Sequence, residues 1–109
     1  MILESAILNV RAGASVQFES AFVQASAIIA ASGGYIAHQL HRCVETADQY
    51  LLLVWWERLE DHTVGFRGSP RYQEWRQLLH HFYDPFPTVE HYAQVYAADH
   101  EDSPGRPPV

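Results

Sequence analysis

The sequence predicts an α+β fold of the ferredoxin-like, split βαβ type, with one antiparallel sheet and both helices on one face of it. Three observations predict this class. Four segments show strand patterning, two longer segments show helical periodicity, and their order is strand, helix, strand, strand, broken helix, strand. The 109 residues suffice for one such domain, which we place at residues 1–97.

The chain begins with a strand followed by a helix. Residues 2–11 ("ILESAILNVR") alternate as a strand does and carry apolar side chains on both faces. Gly13 breaks this pattern, and residues 14–32 then show the spacings of four and seven that predict an amphipathic helix. The large apolar positions of that helix are Phe18, Phe22 and Ile29. Gly33 and Gly34 readily adopt the left-handed C-cap conformation, which predicts the end of the helix.

The middle of the chain predicts a β-hairpin. In residues 35–44, Ile36, His38 and Leu40 share one face of a strand, and the side chains between them point to the other face. The segment "ETAD" then supplies a turn. Residues 49–57 ("QYLLLVWWE") form the second strand of the hairpin.

The second helical region begins after Glu57 and is interrupted at "RGSP". Ser69 restarts it as the N-cap and Pro70 takes the first helical position, where the missing N–H is not needed. The apolar stripe of the restarted helix consists of Tyr72, Trp75, Leu79 and Phe82. "DPFP" ends this helix, and residues 88–96 form the last strand. Residues 98–109 are charged and proline-rich, so we expect a disordered tail.

Composition limits the classes of function. The formal net charge of −6 argues against binding to nucleic acid or to an anionic membrane. No apolar run approaches the ~20 residues of a membrane span, and the N-terminal segment has no basic stretch typical of a signal peptide. Cys43 is the only cysteine, so a reducing compartment suits the chain. We therefore expect a cytoplasmic protein that binds neither membranes nor nucleic acid.

The third strand predicts a homodimer that forms through the sheet faces. Leu51, Leu53 and Trp55 point to one face of the sheet, while the apolar residues between them point to the other. A sheet with one solvated face alternates apolar with polar residues, so something must cover this second face. A second copy offers the same apolar patch and pairs with it symmetrically.

The helix after the two tryptophans carries the candidate chemistry. Leu59, His62, Thr63 and Phe66 share one helical stripe, so His62 faces the sheet and Phe66 lies one turn further along. The interruption at "RGSP" lets the two helical pieces bend around a cavity, which Tyr72 and Trp75 also face. A pocket lined by aromatic rings with a few polar groups suits a small aromatic molecule.

Two further strand residues, His38 and Trp56, are candidate substrate contacts. The histidines of the chain, in contrast, do not predict a metal site. His38 lies between apolar neighbours on its strand, and Trp56 faces opposite to Trp55, so that only one of the two tryptophans contacts any one pocket. Neither the pair His38 and His41 nor the pair His80 and His81 has chelating spacing. We expect neither a metal nor a cofactor, because motifs for nucleotide or phosphate binding are also absent.

These residues also carry a family resemblance. The segments "VWWERLEDH", "FRGSPRYQEW" and "PTVEHY" resemble the antibiotic biosynthesis monooxygenase (ABM) superfamily of dimeric α+β barrel proteins. The resemblance covers residues 1–96. It implies a cofactor-independent monooxygenase that removes a proton from a small aromatic or quinonoid metabolite and lets it reduce dioxygen directly.

The resemblance also implies roles for individual residues. Where the oxygenases of the family show an Asn, a Trp four residues on and a Tyr six after that, this sequence has His62, Phe66 and Tyr72. His62 then serves as the base or hydrogen-bond partner and Tyr72 as the orienting hydroxyl. Two alternatives stay open, because the family includes other activities: a non-catalytic dimeric module for ligand binding or assembly, and a cofactor-free isomerase.

Overall fold

The structure is a computed structural model that describes residues 1–99. The prediction of a disordered tail at residues 98–109 concerns residues that, from residue 100 onward, lie outside the described part of the chain. The elements, in chain order, are β1 (Ile2–Asn9), α1 (Ser15–Ala30), β2 (Tyr35–Arg42), β3 (Gln49–Trp56), a π-helical segment (Asp61–Phe66), α2 (Pro70–Leu79), a 3₁₀ turn (His80–Phe82) and β4 (Val89–Ala93).

The sheet has the predicted architecture. Its strand order is β2-β3-β1-β4, and each neighbouring pair is antiparallel. Both helices pack on one face, which we call the inner face, and together with it they enclose the apolar core. The buried side chains of α1 are Phe18, Phe22, Ala25 and Ile29, as the helical spacing predicts. The α+β class, the antiparallel sheet and the placement of the helices are therefore confirmed.

Three elements end earlier than their patterns predict. β1 ends at Asn9, and Val10 forms only an isolated bridge with Tyr83. α1 ends at Ala30, and Gly34, with a φ of 78°, takes the left-handed conformation three residues beyond the C-cap. β4 spans five residues, because β1 offers it partners only from Ile2 to Ala6.

A β-bulge changes the faces predicted for β2. The register shifts between Tyr35 and Ala37, so Ile36 has no partner on β3. The shift brings Tyr35 and His38 to the same inner face, where the Tyr35 hydroxyl hydrogen-bonds to the His38 ring at Nδ1. Strict alternation had placed Tyr35 on the opposite face from His38.

The interruption of the second helical region is preceded by a π-helical turn. The Arg67 amide donates to the His62 carbonyl at 3.1 Å, the five-residue spacing of a π-helix. Gly68 permits the exit from this turn, because a Cβ there would lie 2.6 Å from the Val64 carbonyl oxygen. Leu59 was predicted to share the inward stripe, but it is exposed.

Ser69 and Pro70 begin α2 as predicted, with Ser69 at the N-cap and Pro70 at the first helical position. The Ser69 hydroxyl does not accept an amide N–H of the new helix. It donates instead to the Phe66 carbonyl at 2.6 Å and so ties the start of α2 to the end of the π-helical segment.

The outer face of the sheet keeps exposed apolar side chains. Ile7 and Leu51 are direct partners across β1 and β3 and are 53% and 37% exposed, and Tyr92 on β4 is 50% exposed. Trp55 points to this face as well, but it is 4% exposed within the single chain. The homodimer through this face stays a prediction, and the exposed area is what a second copy would cover.

The dimer is testable at the centre of this face. We expect the wild-type protein to sediment at twice the 12.4 kDa chain mass at micromolar concentration. Ile7→Glu should shift it toward the monomer, because the new carboxylate loses water on association. Val23→Glu is the matched control, since Val23 is 74% exposed on α1, away from the sheet, and this variant should stay dimeric. A wild-type protein that sediments as a monomer would refute the dimer.

Candidate functional site

A cavity of about 350 Å³ lies between the inner face of the sheet and the second helical region. Its floor is β1, which contributes Glu4, Ala6 and Leu8. Five aromatic side chains line the remaining wall together with other residues: Phe66, Tyr72, Trp75, Tyr83 and Phe86. This mixture of aromatic rings with carboxyl, imidazole, guanidinium and phenol groups suits an aromatic ligand that carries polar substituents.

The structure places four of the six predicted site residues on the wall of this cavity. They are His62, Phe66, Tyr72 and Trp75. His38 lies elsewhere, on β2 against Phe22, where its ring bonds to the Tyr35 hydroxyl and, at 3.0 Å, to the Ser26 hydroxyl. Trp56 does not line the cavity either, because it lies behind His62. The four predicted residues of the second helical region therefore line one cavity, whereas the two strand residues contact other groups.

The polar end of the cavity is built around Glu4. The Trp56 indole N–H donates to Glu4 Oε1 at 2.9 Å, and His62 Nε2 lies 3.4 Å from the same oxygen. The Trp56 and His62 rings stack with a centroid distance of 5.4 Å and an interplanar angle of 19°. Stacking fixes the plane of the imidazole, and the indole fixes the carboxyl group, so both polar groups face the cavity in one arrangement.

His91 extends this group toward the protein surface. It is the direct partner of Glu4 across β1 and β4, on the same inner face. Its Nε2 is 2.8 Å from Nδ1 of His62, which is a hydrogen bond between the two rings. Glu4 and His62 are 5% and 3% exposed, whereas His91 is half-buried. The three side chains form a continuous polar row from the cavity to the edge strand.

Burial shifts the pKa values of this row in opposite directions. Desolvation raises the pKa of Glu4 from 4.5 to about 7, although the Trp56 hydrogen bond and the Arg67 charge act against this rise. Desolvation lowers the pKa of His62 to about 3, and the nearby Arg67 and His91 add to that effect. His62 is therefore neutral near pH 7, where Glu4 changes its charge. These pKa values favour Glu4 over His62 as a base near neutral pH.

The opposite end of the cavity carries phenol and imidazole groups. The rings of Tyr72 and Tyr83 each lie within 6 Å of His80, at 5.9 and 5.8 Å. Burial raises the pKa of the Tyr83 hydroxyl, so this group remains a neutral donor. Arg67 also lines the cavity and supplies a positive charge for an anionic ligand group.

Sequence reasoning missed two members of the polar row, Glu4 and His91. One signal for Glu4 exists in the first strand, where it shares an alternating face with Ala6, Leu8 and Val10 and is the charged residue among them. A charged group on an apolar strand face needs partners and marks a site. His91 carries no such signal, because its position opposite Glu4 depends on strand pairing between the two ends of the chain.

The part of the chain that the structure describes contains neither a metal cluster nor a membrane span. Within residues 1–99, no group of three or more His, Cys, Asp or Glu side chains is arranged to hold a metal ion. In the same residues, no helix combines the length and apolar character of a membrane span.

Comparison with known proteins agrees with this architecture. The family model for antibiotic biosynthesis monooxygenase (ABM) matches residues 1–78. YczJ, an uncharacterized protein of Bacillus subtilis, is 57% identical over 95 residues, which cover 87% of this chain and 100% of YczJ. The chain thus belongs to the antibiotic biosynthesis monooxygenase family.

Solved structures give the same fold. A crystal structure from Bordetella bronchiseptica that carries the name of this family has a TM-score of 0.84 and 35% identity, over 87% of this chain and 97% of that one. SnoaB of Streptomyces nogalater, a cofactor-independent oxygenase whose structure is that of a mutant, has a TM-score of 0.67 and 22% identity, over 88% and 94% of the two chains. The second likeness concerns the fold alone.

The raised pKa of Glu4 has a measurable effect on stability. A carboxyl whose folded pKa exceeds its unfolded value stabilises the protein below pH 4.5 and loses that contribution as pH rises through about 7. We therefore expect the free energy of unfolding of Glu4→Gln, relative to wild type, to rise by about 3 kcal/mol between those limits. Urea unfolding at a series of pH values measures it. A difference that stays constant with pH would contradict the assignment, and Glu74→Gln, at an exposed site on α2, is the control.

Proposed function

We propose that the protein is a cofactor-independent monooxygenase that oxidises a small phenolic or quinonoid aromatic compound with dioxygen. The observation that carries the proposal is a buried carboxyl group, Glu4, beside a neutral imidazole, His62, at one end of an aromatic cavity. Membership of the ABM family supports the reaction class.

The first step is the removal of the phenolic proton by the Glu4 carboxylate. A phenol of pKa ~10 and a carboxyl of pKa about 7 differ by about three units, so the transfer costs about 4 kcal/mol. The same transfer to His62, whose pKa is about 3, costs more than twice as much. The Arg67 charge, which lines the cavity, lowers the cost further because it stabilises the phenolate.

The phenolate is electron-rich enough to reduce dioxygen without a cofactor. In a substrate with a ring methylene, such as an anthrone, the proton removed is that of the enol tautomer, in which the former methylene carbon carries one hydrogen. This carbon of the resulting anion gives its electron pair to dioxygen and forms a C–O bond, and Glu4 returns the proton to the peroxide. The hydroperoxide then loses water as its O–O bond and the remaining C–H bond break, which leaves the ring carbonyl. Overall, one methylene and one dioxygen give one ring carbonyl and one water, so electrons and atoms balance with dioxygen as the sole oxidant. Glu4 thus takes up one proton and returns it in each turnover.

The remaining cavity residues position the substrate. Phe66 and Trp75, whose rings meet edge to face at 5.8 Å, confine a flat ring system. Tyr72 lies against Phe66 and offers the orienting hydroxyl. Trp56 acts through Glu4, since its indole N–H holds the carboxyl oxygen in place. We also propose a cytoplasmic location, which the free thiol of Cys43 suits.

A cofactor-free isomerase is the second candidate, and the same carboxyl group favours it. The Glu4 carboxylate, with a pKa of about 7, can remove a proton from one carbon of the substrate. Because Glu4 is buried, it can return the same proton to another carbon. This reaction needs no oxygen, so an anaerobic assay separates the two candidates.

Oxygen uptake tests the proposal directly. We expect the purified full-length protein to consume oxygen with at least one member of a panel of 1,8-dihydroxyanthrone, naphthols and catechols, without added flavin or metal. Glu4→Gln should lower kcat by about 100-fold or more, because the amide cannot accept the proton. Glu74→Gln is the matched control, since it removes an exposed carboxylate on α2 that does not line the cavity and should leave kcat unchanged.

Two outcomes would contradict different parts of the proposal. Binding of these compounds, detected by quenching of tryptophan emission, without oxygen uptake would refute the oxygenase and favour a module that only binds its ligand. Equal rates with wild-type protein and Glu4→Gln would refute Glu4 as the base.

A further inference from the structure

We infer that His91 is a positioning residue that carries protons between Glu4 and the solvent, through His62, while ligand fills the cavity. The row of contacts described above gives the path: Glu4 Oε1 to His62 Nε2 at 3.4 Å, and His62 Nδ1 to His91 Nε2 at 2.8 Å. The catalytic use of this path depends on the proposed role of Glu4 as the base, whereas the path itself does not.

The path explains how Glu4 can exchange a proton with the solvent when a ligand fills the cavity. Glu4 is 5% exposed in the ligand-free protein, and its remaining access is through the cavity that the substrate would fill. Behind Glu4, the Trp56 indole occupies Oε1 as a donor and carries no proton that it can pass on. The contact with His62 is therefore the route by which Glu4 exchanges a proton with the solvent when ligand is bound.

The imidazole rings of His62 and His91 can transfer one proton while both rings stay neutral. When Glu4 is protonated, the transfer begins as its O–H and Nε2 of His62 close from 3.4 Å to hydrogen-bond distance, while Nδ1–H of His62 donates to Nε2 of His91. As Glu4 loses its proton to Nε2, His62 passes the Nδ1 proton to His91, and Nδ1–H of His91 releases a proton to water. Both imidazoles change tautomer and stay neutral, so one proton leaves for each carboxylate formed.

The charged and titratable groups around His62 suit this transfer. Glu4 faces it from β1, His91 from β4, and Arg67, which follows the π-helical segment, acts on all three groups of the row. Burial and the Arg67 charge lower the pKa values of both imidazoles, so neither ring traps the proton that passes through it.

The path is tested by solvent exchange of the His62 ring proton, followed by saturation transfer from water in the full-length protein labelled at the histidine nitrogens. We expect fast exchange in the wild type despite the 3% exposure of His62. His91→Gln should slow it by about 100-fold, because the amide keeps a hydrogen bond to His62 but cannot relay a proton. His41→Gln is the matched control, since His41 is exposed on β2 and bonds only to Gln39 among the groups described.

A second variant separates proton transfer from support of the fold. In His91→Gly, exchange should be slow, and added imidazole should restore it in proportion to its concentration. A purely structural His91 predicts the reverse, namely faster exchange in both variants, because the site loosens, and no response to imidazole. Unchanged or faster exchange in His91→Gln would overturn the inference.

Turnover adds a readout that depends on the proposed function. Because Glu4 returns the substrate's own proton, turnover needs the path only when substrate binds to protein in which Glu4 is already protonated, which is common below about pH 7. If 1,8-dihydroxyanthrone is oxidised, His91→Gln should therefore lower kcat below that pH with KM unchanged, and imidazole should restore kcat in His91→Gly. If the wild-type protein does not oxidise it or the other panel compounds, the proposed function fails, while the exchange rates still decide whether the path exists.

Discussion

The burial of the Glu4 carboxyl group is the constraint on which the rest of this site depends. A carboxyl that is 5% exposed is stable only with partners, and here they come from different elements: Trp56 from β3 and His62 from the π-helical segment. The pairing of β1 with β3, which sets Glu4 opposite Val54 on the inner face, brings these elements together. One sheet register thus determines both the core and the chemistry.

The π-helical turn explains how a short connection serves two purposes. It buries His62 over Glu4 and Phe66 over the cavity, and the glycine at its exit lets the chain pass close to the Val64 carbonyl. The helix α2 then starts in a new direction, with Tyr72 and Trp75 on the cavity wall. Irregular turns of this kind often occur at functional sites.

Local periodicity predicted most of the fold, since each strand and helix carries its own apolar pattern, and it placed His62 on the inward face. It could not identify the polar row. Glu4 is a single charged position in an apolar strand, and its pairing with His91 joins the two ends of the chain. The bulge that turns Tyr35 toward His38 could not be predicted either, because the sequence of β2 fits a regular strand without a bulge equally well. Contacts that depend on register between distant segments leave no local signal.

The most direct measurement is a pH titration of the Glu4 carboxyl carbon by ¹³C NMR in the full-length protein, assigned by its disappearance in Glu4→Gln. We predict a midpoint of about 7, because burial disfavours the carboxylate. A midpoint at the ordinary value of 4.5 would contradict the proposed role of Glu4, since the group would then be ionised across the physiological range and too weak a base to remove a phenolic proton.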